Sequence, residues 1–303
     1  MAEVIKKHDI LGDRFLDEFH RKVQEPVWAI PTHLPTLNRI CRGGASGRGL
    51  GAGTFLTIGG AAGAGKSAFS LSLASSALRH GIPGGVAMIN LEMDAHQTAT
   101  RMYSIYTNTR ISRLEHGDFE LAYFQQARKA MQGSQPLWVP DGLLASLEEC
   151  LEYMNSCKDE SGCRYFIVDY LQLIHSAGRD EDSILKQTQR TVTALRAWGL
   201  QNEAIIICLS QFNRSATSNQ HESRTPSMHQ MFGGGLIEQS STMCAVLDHS
   251  RYIRNGNEAY TYFCVQKNRA GPAPMEIPIH WNYRDLSCRE MDEDEEIEVF
   301  GAK

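Results

Sequence analysis

Gly60-Ala61-Ala62-Gly63-Ala64-Gly65-Lys66-Ser67 decides how the rest of this chain is read. The octet satisfies G-x-x-x-x-G-K-[S/T], follows an apolar run at residues 54–58 and precedes a helical pattern at residues 67–79. Strand, glycine-rich loop and helix in that order are what a phosphate-binding P-loop requires. The glycines let the backbone wrap so that its N–H groups point at phosphate oxygens, and the helix that follows adds the positive end of its dipole. Residues 60–67 therefore form the candidate nucleotide cradle, with Lys66 reaching the β- and γ-phosphates and the Ser67 hydroxyl a ligand for Mg²⁺. An ordinary glycine-rich turn is the alternative, and the flanking strand and helix weigh against it.

Outward from the loop, short apolar runs alternate with longer helical stretches, the pattern of βαβ units in a mostly parallel sheet. Strands are expected at residues 54–58, 85–90, 165–169, 204–210 and 242–248, and helices at 67–79, 96–106, 119–131, 146–156 and 183–200. Residues 260–266 and 275–281 read as strands added at one edge of the sheet. Before the core, Ile5, Ile10, Leu11, Phe15, Leu16, Phe19 and Val23 recur at mostly three- and four-residue spacings, which predicts an amphipathic helical arm ended by Pro26. Such an arm packs on its own domain or on a neighbouring subunit, and the pattern leaves both open. The expected organisation is an arm at residues 1–25, an α/β ATPase domain at 26–288 and an acidic tail at 289–303, with the run from Glu290 to Glu298 a solvated face.

Composition narrows the class. With 303 residues, 42% hydrophobic and 21% charged, the chain has the balance of a globular domain with a sizeable core. A net charge of −5 excludes a protein that is basic all over, although a local patch or the inside of a ring can still grip nucleic acid. The 8 cysteines are scattered without a C-x-x-C pair, so buried small hydrophobes are expected in place of a metal site or disulfides. The apolar runs are too short for a membrane span, and the start is charged without an apolar signal region. The expected setting is the cytoplasm, or that of a host cell if the chain is viral, with no membrane partner.

Phosphoryl chemistry needs more than a cradle. A carboxylate must hold the metal, and Phe166-Ile167-Val168-Asp169 ends an apolar strand in an acid. Alone, an Asp there is a turn former; beside a P-loop, Asp169 is the metal candidate. Hydrolysis also needs a base to orient and deprotonate water, and Asn90-Leu91-Glu92-Met93 puts Glu92 at the end of the strand that follows the P-loop helix. A helix-start glutamate or a surface ion-pair partner is the competing reading. Gln211 closes another strand, Cys208-Leu209-Ser210-Gln211, where an amide either caps the strand or senses the γ-phosphate.

Taken in order, these pieces resemble the helicase domain of the DnaB family of replicative helicases, whose fold is RecA-like. The resemblance rests on the P-loop, on Asn90-Leu91-Glu92-Met93 with Gln97 and Arg101, and on Ile167 to Leu173. It also rests on Leu209 to Arg214, Gly235-Leu236-Ile237-Glu238-Gln239 and Lys267-Asn268-Arg269-Ala270-Gly271-Pro272, and it covers roughly residues 30–285. It implies ATP and Mg²⁺ as ligands, Glu92 as catalytic base, Asp169 at the metal and Gln211 as γ-phosphate sensor. It further implies that Lys267 and Arg269 act in trans on the neighbour's nucleotide, with Arg269 the arginine finger. By itself a Lys-x-Arg pair near a strand end is a solvated face.

The function implied is an ATP-dependent DNA helicase motor, a hexameric ring that translocates on single-stranded DNA, unwinds duplex during replication and works with a primase or loader. The rival is a RecA- or KaiC-like ATPase used as a regulatory switch or recombinase-type filament without unwinding activity. Two departures stand out. Where the family carries Arg-Glu-Ser-Gly in a DNA-contacting loop, this chain has Phe232-Gly233-Gly234-Gly235, a flexible hinge or a segment that meets phosphate through glycine N–H groups and stacks Phe232 on a base. The family's N-terminal collar domain has no counterpart, so a phage-type version reduced to its motor is expected.

Overall fold

A computed structural model describes residues 28–41, 49–117, 125, 134–144, 146–174, 184–212, 226–231 and 234–301. Eleven strands occur among them: β1 (Ala29–Ile30), β2 (Leu50–Gly51), β3 (Phe55–Gly60), β4 (Val86–Asn90), β5 (Leu137–Trp138), β6 (Tyr165–Asp169), β7 (Ile205–Gln211), β8 (Met243–Asn255), β9 (Glu258–Asn268), β10 (Met275–Asn282) and β11 (Ser287–Glu290). The α-helices are α1 (Pro35–Ile40), α2 (Lys66–Arg79), α3 (Ala95–Thr107), α4 (Ile111–Glu115), α5 (Leu147–Ser161), α6 (Ile184–Gln201), α7 (Gly234–Ser240) and α8 (Glu293–Phe300).

Nine strands form one sheet in the order β11-β10-β9-β8-β3-β7-β6-β4-β5. From β8 to β5 every neighbouring pair is parallel. The pairs β8–β9, β9–β10 and β10–β11 are antiparallel and extend one edge, as the apolar runs of β9 and β10 predict. The fold is RecA-like α/β.

Side-chain alternation places a core on each face of the sheet. Leu56 and Ile58, Ile167, and Ile205, Ile207 and Leu209 join Phe69, Leu71 and Leu73 of α2 and Met102 and Ile105 of α3. Phe55, Phe166, Val168, Ile206 and Cys208 point the other way, against Cys150 and Met154 of α5 and Val192, Leu195 and Trp198 of α6. Helices on both faces bury β3, β4 and β6 completely, which is why these strands read as continuous apolar runs. All eight cysteines are buried, among the small hydrophobes of these cores.

The amphipathic arm and most of the helix expected at 119–131 lie outside the described residues. The acidic run is helical over most of its length, and no residue of α8 is buried. It is ordered into β11 and α8, and α8 is capped by Asp292, whose side chain accepts from the amide of Glu295. Arg289 pairs with Glu295 at 2.7 Å, Tyr262 donates to Glu296 at 2.9 Å, and Phe300 packs on the Tyr262 ring at 4.6 Å. The Phe300 contact on Tyr262, invisible in the charge count, seats the helix, while Ile297 stays exposed.

Candidate active site

Beyond β3 the chain turns through the glycine-rich octet into α2. Gly65 is the N-cap of that helix at φ 85°, in the left-handed region. A side chain there is disfavoured twice, because a Cβ would also sit 3.0 Å from the Trp281 ring. The first turn of α2 holds no acidic residue, so its own sequence does not neutralise the positive end of the helix dipole. Lys66 folds back along the loop, its Nζ donating to the carbonyls of Gly60 at 3.0 Å and Ala61 at 2.8 Å. Burial lowers its pKa, and the carboxylates of Asp169 and Glu92 pull it back up.

Asp169 ends β6 directly across from the loop and is 1% exposed. Burial pushes its pKa up to about 6; a hydrogen bond from the Ser67 hydroxyl, and the charges of Lys66 and Arg101, work against the rise, while Glu92 adds to it. Its Oδ2 is buried without a hydrogen-bond partner. A buried carboxylate oxygen lacking a donor, next to a serine hydroxyl and a phosphate cradle, is a donor set suited to a hard divalent cation. Ser67 and Asp169 thus fit Mg²⁺.

Strands β7 and β6 separate β3 from β4, yet Glu92 reaches the same cavity. The cause is local. The Asn90 side chain accepts from the amides of Glu92 at 3.1 Å and Met93 at 2.9 Å, folding the chain sharply as β4 ends. The Leu91 amide donates to the carbonyl of Asp169 at 2.7 Å, which ties that turn to the end of β6. Asp94 then starts α3 through a capping box with Gln97. Gln97 and Arg101, one turn apart, line the cavity from α3.

Gln211 completes the rim from the end of β7. Its amide donates to Gln172 Oε1 at 3.4 Å, and Gln172 Nε2 donates to Ser210 at 2.8 Å, so the turn after Asp169 is latched to the end of β7. The Gln211 side chain also hydrogen-bonds the Tyr170 phenol. The resulting cavity has a volume of ≈ 520 Å³ and brings together Lys66, Ser67, Glu92, Asp169 and Gln211. Met93, Tyr170, Tyr283 and Leu286 also line it, and sequence reasoning misses them. Gln97 and Arg101 carry a readable signal in their four-residue spacing, whereas Tyr283 and Leu286 arrive from the β10–β11 turn, far along the chain, with no local mark.

Lys267 and Arg269 are elsewhere. Leu56, at the start of β3, is paired with Met243 of β8, which is paired with Asn268 of β9. The two cations therefore flank the amino end of β3, about 13 Å along the strand from Gly60 at ~3.3 Å per residue. There Lys267 Nζ donates to the carbonyl of Glu238 and Arg269 Nη2 to that of Gln239 at 2.7 Å. Phe232 and Gly233 lie outside the described residues; Gly234 and Gly235, expected in a loop, begin α7.

The replicative DNA helicase DnaB of Geobacillus stearothermophilus is 25% identical over 270 residues, which is 87% of this chain and 57% of that protein. The chain thus spans a little over half the length of that relative. Among solved structures, a DnaB-like replicative helicase, described together with its interactions with primase, superposes with a TM-score of 0.74 at 18% identity, covering 94% of this chain and 68% of that one. A KaiC-like protein of Pyrococcus horikoshii gives 0.58 at 14% identity, covering 88% of this chain and all of that one. The model of the DnaB-like helicase C-terminal domain matches residues 29–285, the whole span from β1 to the turn that closes the cavity, and the chain belongs to that family.

Proposed function

We propose that this chain is the motor of an ATP-dependent DNA helicase, which assembles as a hexameric ring, binds ATP between subunits and translocates on single-stranded DNA to unwind duplex in replication. One observation carries the reading. Five residues of phosphoryl-transfer type surround a single cavity, while the two cations of the Lys267-Asn268-Arg269 segment stand at the other end of the same sheet. A site divided in this way is completed by a second copy of the chain.

In the proposed mechanism the loop amides and Lys66 hold the β- and γ-phosphates, and Ser67 and Asp169 would hold Mg²⁺, which when bound would supply positive charge against the phosphate oxygens. Glu92 takes the proton of the attacking water. Gln211 hydrogen-bonds the γ-phosphate, and its loss is passed through the Gln172 latch to the turn after Asp169. Arg269 and Lys267 of the neighbour stabilise the charge of the transferring phosphoryl group. A primase or loader is the proposed partner outside the ring.

The test is ATPase activity of the purified protein with and without single-stranded DNA, alongside its mass in solution and the opening of a forked duplex. Stimulation by DNA in a hexamer that opens the fork supports the helicase. A DNA-indifferent ATPase that leaves the fork closed would replace it with a regulatory RecA-like switch.

A further inference from the structure

The carboxyl end of α7 is unusual in what satisfies it. The last four carbonyls of a helix have no partner within it and must find one elsewhere. Here Ile237 O accepts from the amide and hydroxyl of Ser241, at 2.9 and 2.7 Å. Among the described residues, the next three accept from cations: Glu238 O from Lys267, Gln239 O from Arg269 at 2.7 Å and from Arg196 Nη1 at 3.3 Å, and Ser240 O from Arg196. Two of these cations are the residues proposed to act on a neighbour's phosphate. The third, Arg196, belongs to α6 and does not line the nucleotide cavity.

Three cations on three carbonyls repel one another. Lys267 is held below its ordinary pKa by burial first and then by Arg269, with a smaller contribution from Arg196 in the same direction. The negative end of the helix dipole offsets this crowding. When Lys267 and Arg269 turn outward to a neighbouring phosphate, they leave carbonyls that cost free energy if bare. A planar guanidinium that already spans Gln239 O and Ser240 O is placed to cover the carbonyl Arg269 gives up.

We propose that Arg196 is a positioning residue for Arg269 of the trans-acting pair, the resident cap of the α7 carboxyl end that covers Gln239 O and so frees Arg269 to leave it. This rests on the proposed action of that pair across the subunit interface. Without Arg196, Arg269 becomes the sole cation on Gln239 O and is held on its own subunit. Turnover falls, and the fault follows the subunit that donates the finger.

Mixed rings test this directly. Lys66→Ala subunits lack a working P-loop but donate a finger, and Arg269→Ala subunits lack the finger but own a working P-loop, so their mixture recovers activity at one kind of interface. Adding Arg196→Ala to the Lys66→Ala partner is expected to lower the recovered kcat roughly tenfold, the scale of one charge-assisted hydrogen bond, with KM for ATP little changed. Adding it instead to the Arg269→Ala partner leaves the recovery as it was. Arg196→Lys on the finger donor restores most of the loss, since a cation again meets the carbonyls. Equal losses on both partners, with ring mass intact, mean a structural role and overturn the proposal; so does no loss on either. No recovery in the parent mixture, despite demonstrated subunit exchange, would overturn action in trans itself, a distinct outcome.

Discussion

The two ends of the central sheet are built by different means. At the carboxyl ends of β3, β4 and β6, Lys66, Glu92 and Asp169 are aimed by their own local chain, through a glycine turn, an Asn90 turn and a strand end, while Gln211 at the end of β7 is latched by Gln172 from the turn after β6. At the opposite end, Lys267 and Arg269 are held by carbonyls of α7, roughly thirty residues earlier in the chain. The first end is tied together where strands end side by side, Leu91 to Asp169 and Gln172 to Gln211. The second is held by side chains on the carbonyls of one short helix, which suits the proposed service of Lys267 and Arg269 to a different subunit.

The comparison breaks most visibly at the first end. Lys66→Ala removes the only point charge that the P-loop offers phosphate, and hydrolysis is expected to vanish with most nucleotide affinity. Near-normal turnover in that variant would remove the P-loop from the mechanism. At the second end, Arg269→Ala is expected to fold, assemble and bind nucleotide, yet lose turnover by roughly a thousandfold, the scale of a withdrawn arginine finger. If nucleotide binding falls in isolated subunits as well, Arg269 acts within its own chain and the contrast between the ends collapses. Glu92→Gln sharpens the first end further: it should bind ATP with Mg²⁺ normally while turnover falls ~10²–10⁴-fold, the usual contribution of a general base. A folded Glu92→Gln protein that no longer binds ATP assigns Glu92 to binding instead.

This division also explains what is legible in the sequence. Strands β3, β4, β6 and β7 begin and end within two residues of where their apolar runs place them, because buried parallel strands have no alternative pattern. Lys66, Ser67, Glu92, Asp169 and Gln211 are readable since each lies at a strand end or in a motif with fixed geometry. Tyr283 and Leu286 are not, because the antiparallel edge carries them to the cavity through tertiary pairing alone. Arg196 is hidden for the same reason: its partners are backbone carbonyls, which leave no trace in side-chain spacing. In the acidic helix α8 the charge is plain from composition, while its seat on Tyr262 is not.

The smallest expected effect concerns Asp169 and is read from stability. Burial raises its pKa from 3.8 to about 6, so between those values the native state holds a proton that the unfolded chain has released. Stability linked to this group is therefore complete below about pH 4 and is lost as pH rises through about 6. Above that window the protein carries a buried carboxylate whose Oδ2 has no donor. Asp169→Asn removes the charge at nearly constant shape, so its unfolding midpoint at pH 8 should exceed that of the parent by a few degrees, while at pH 4 the two should nearly coincide. Mg²⁺ with nucleotide acts in the opposite sense, because a cation binds the deprotonated carboxylate. The stabilisation it gives the parent should be larger at pH 8 than at pH 5 and should lose its metal-dependent part in Asp169→Asn. Thermal melts at the three pH values, with and without Mg²⁺ and nucleotide, decide it: an Asn variant that melts lower than the parent at pH 8 and keeps the full Mg²⁺ shift makes Asp169 a structural residue, and the metal is then held elsewhere in the rim.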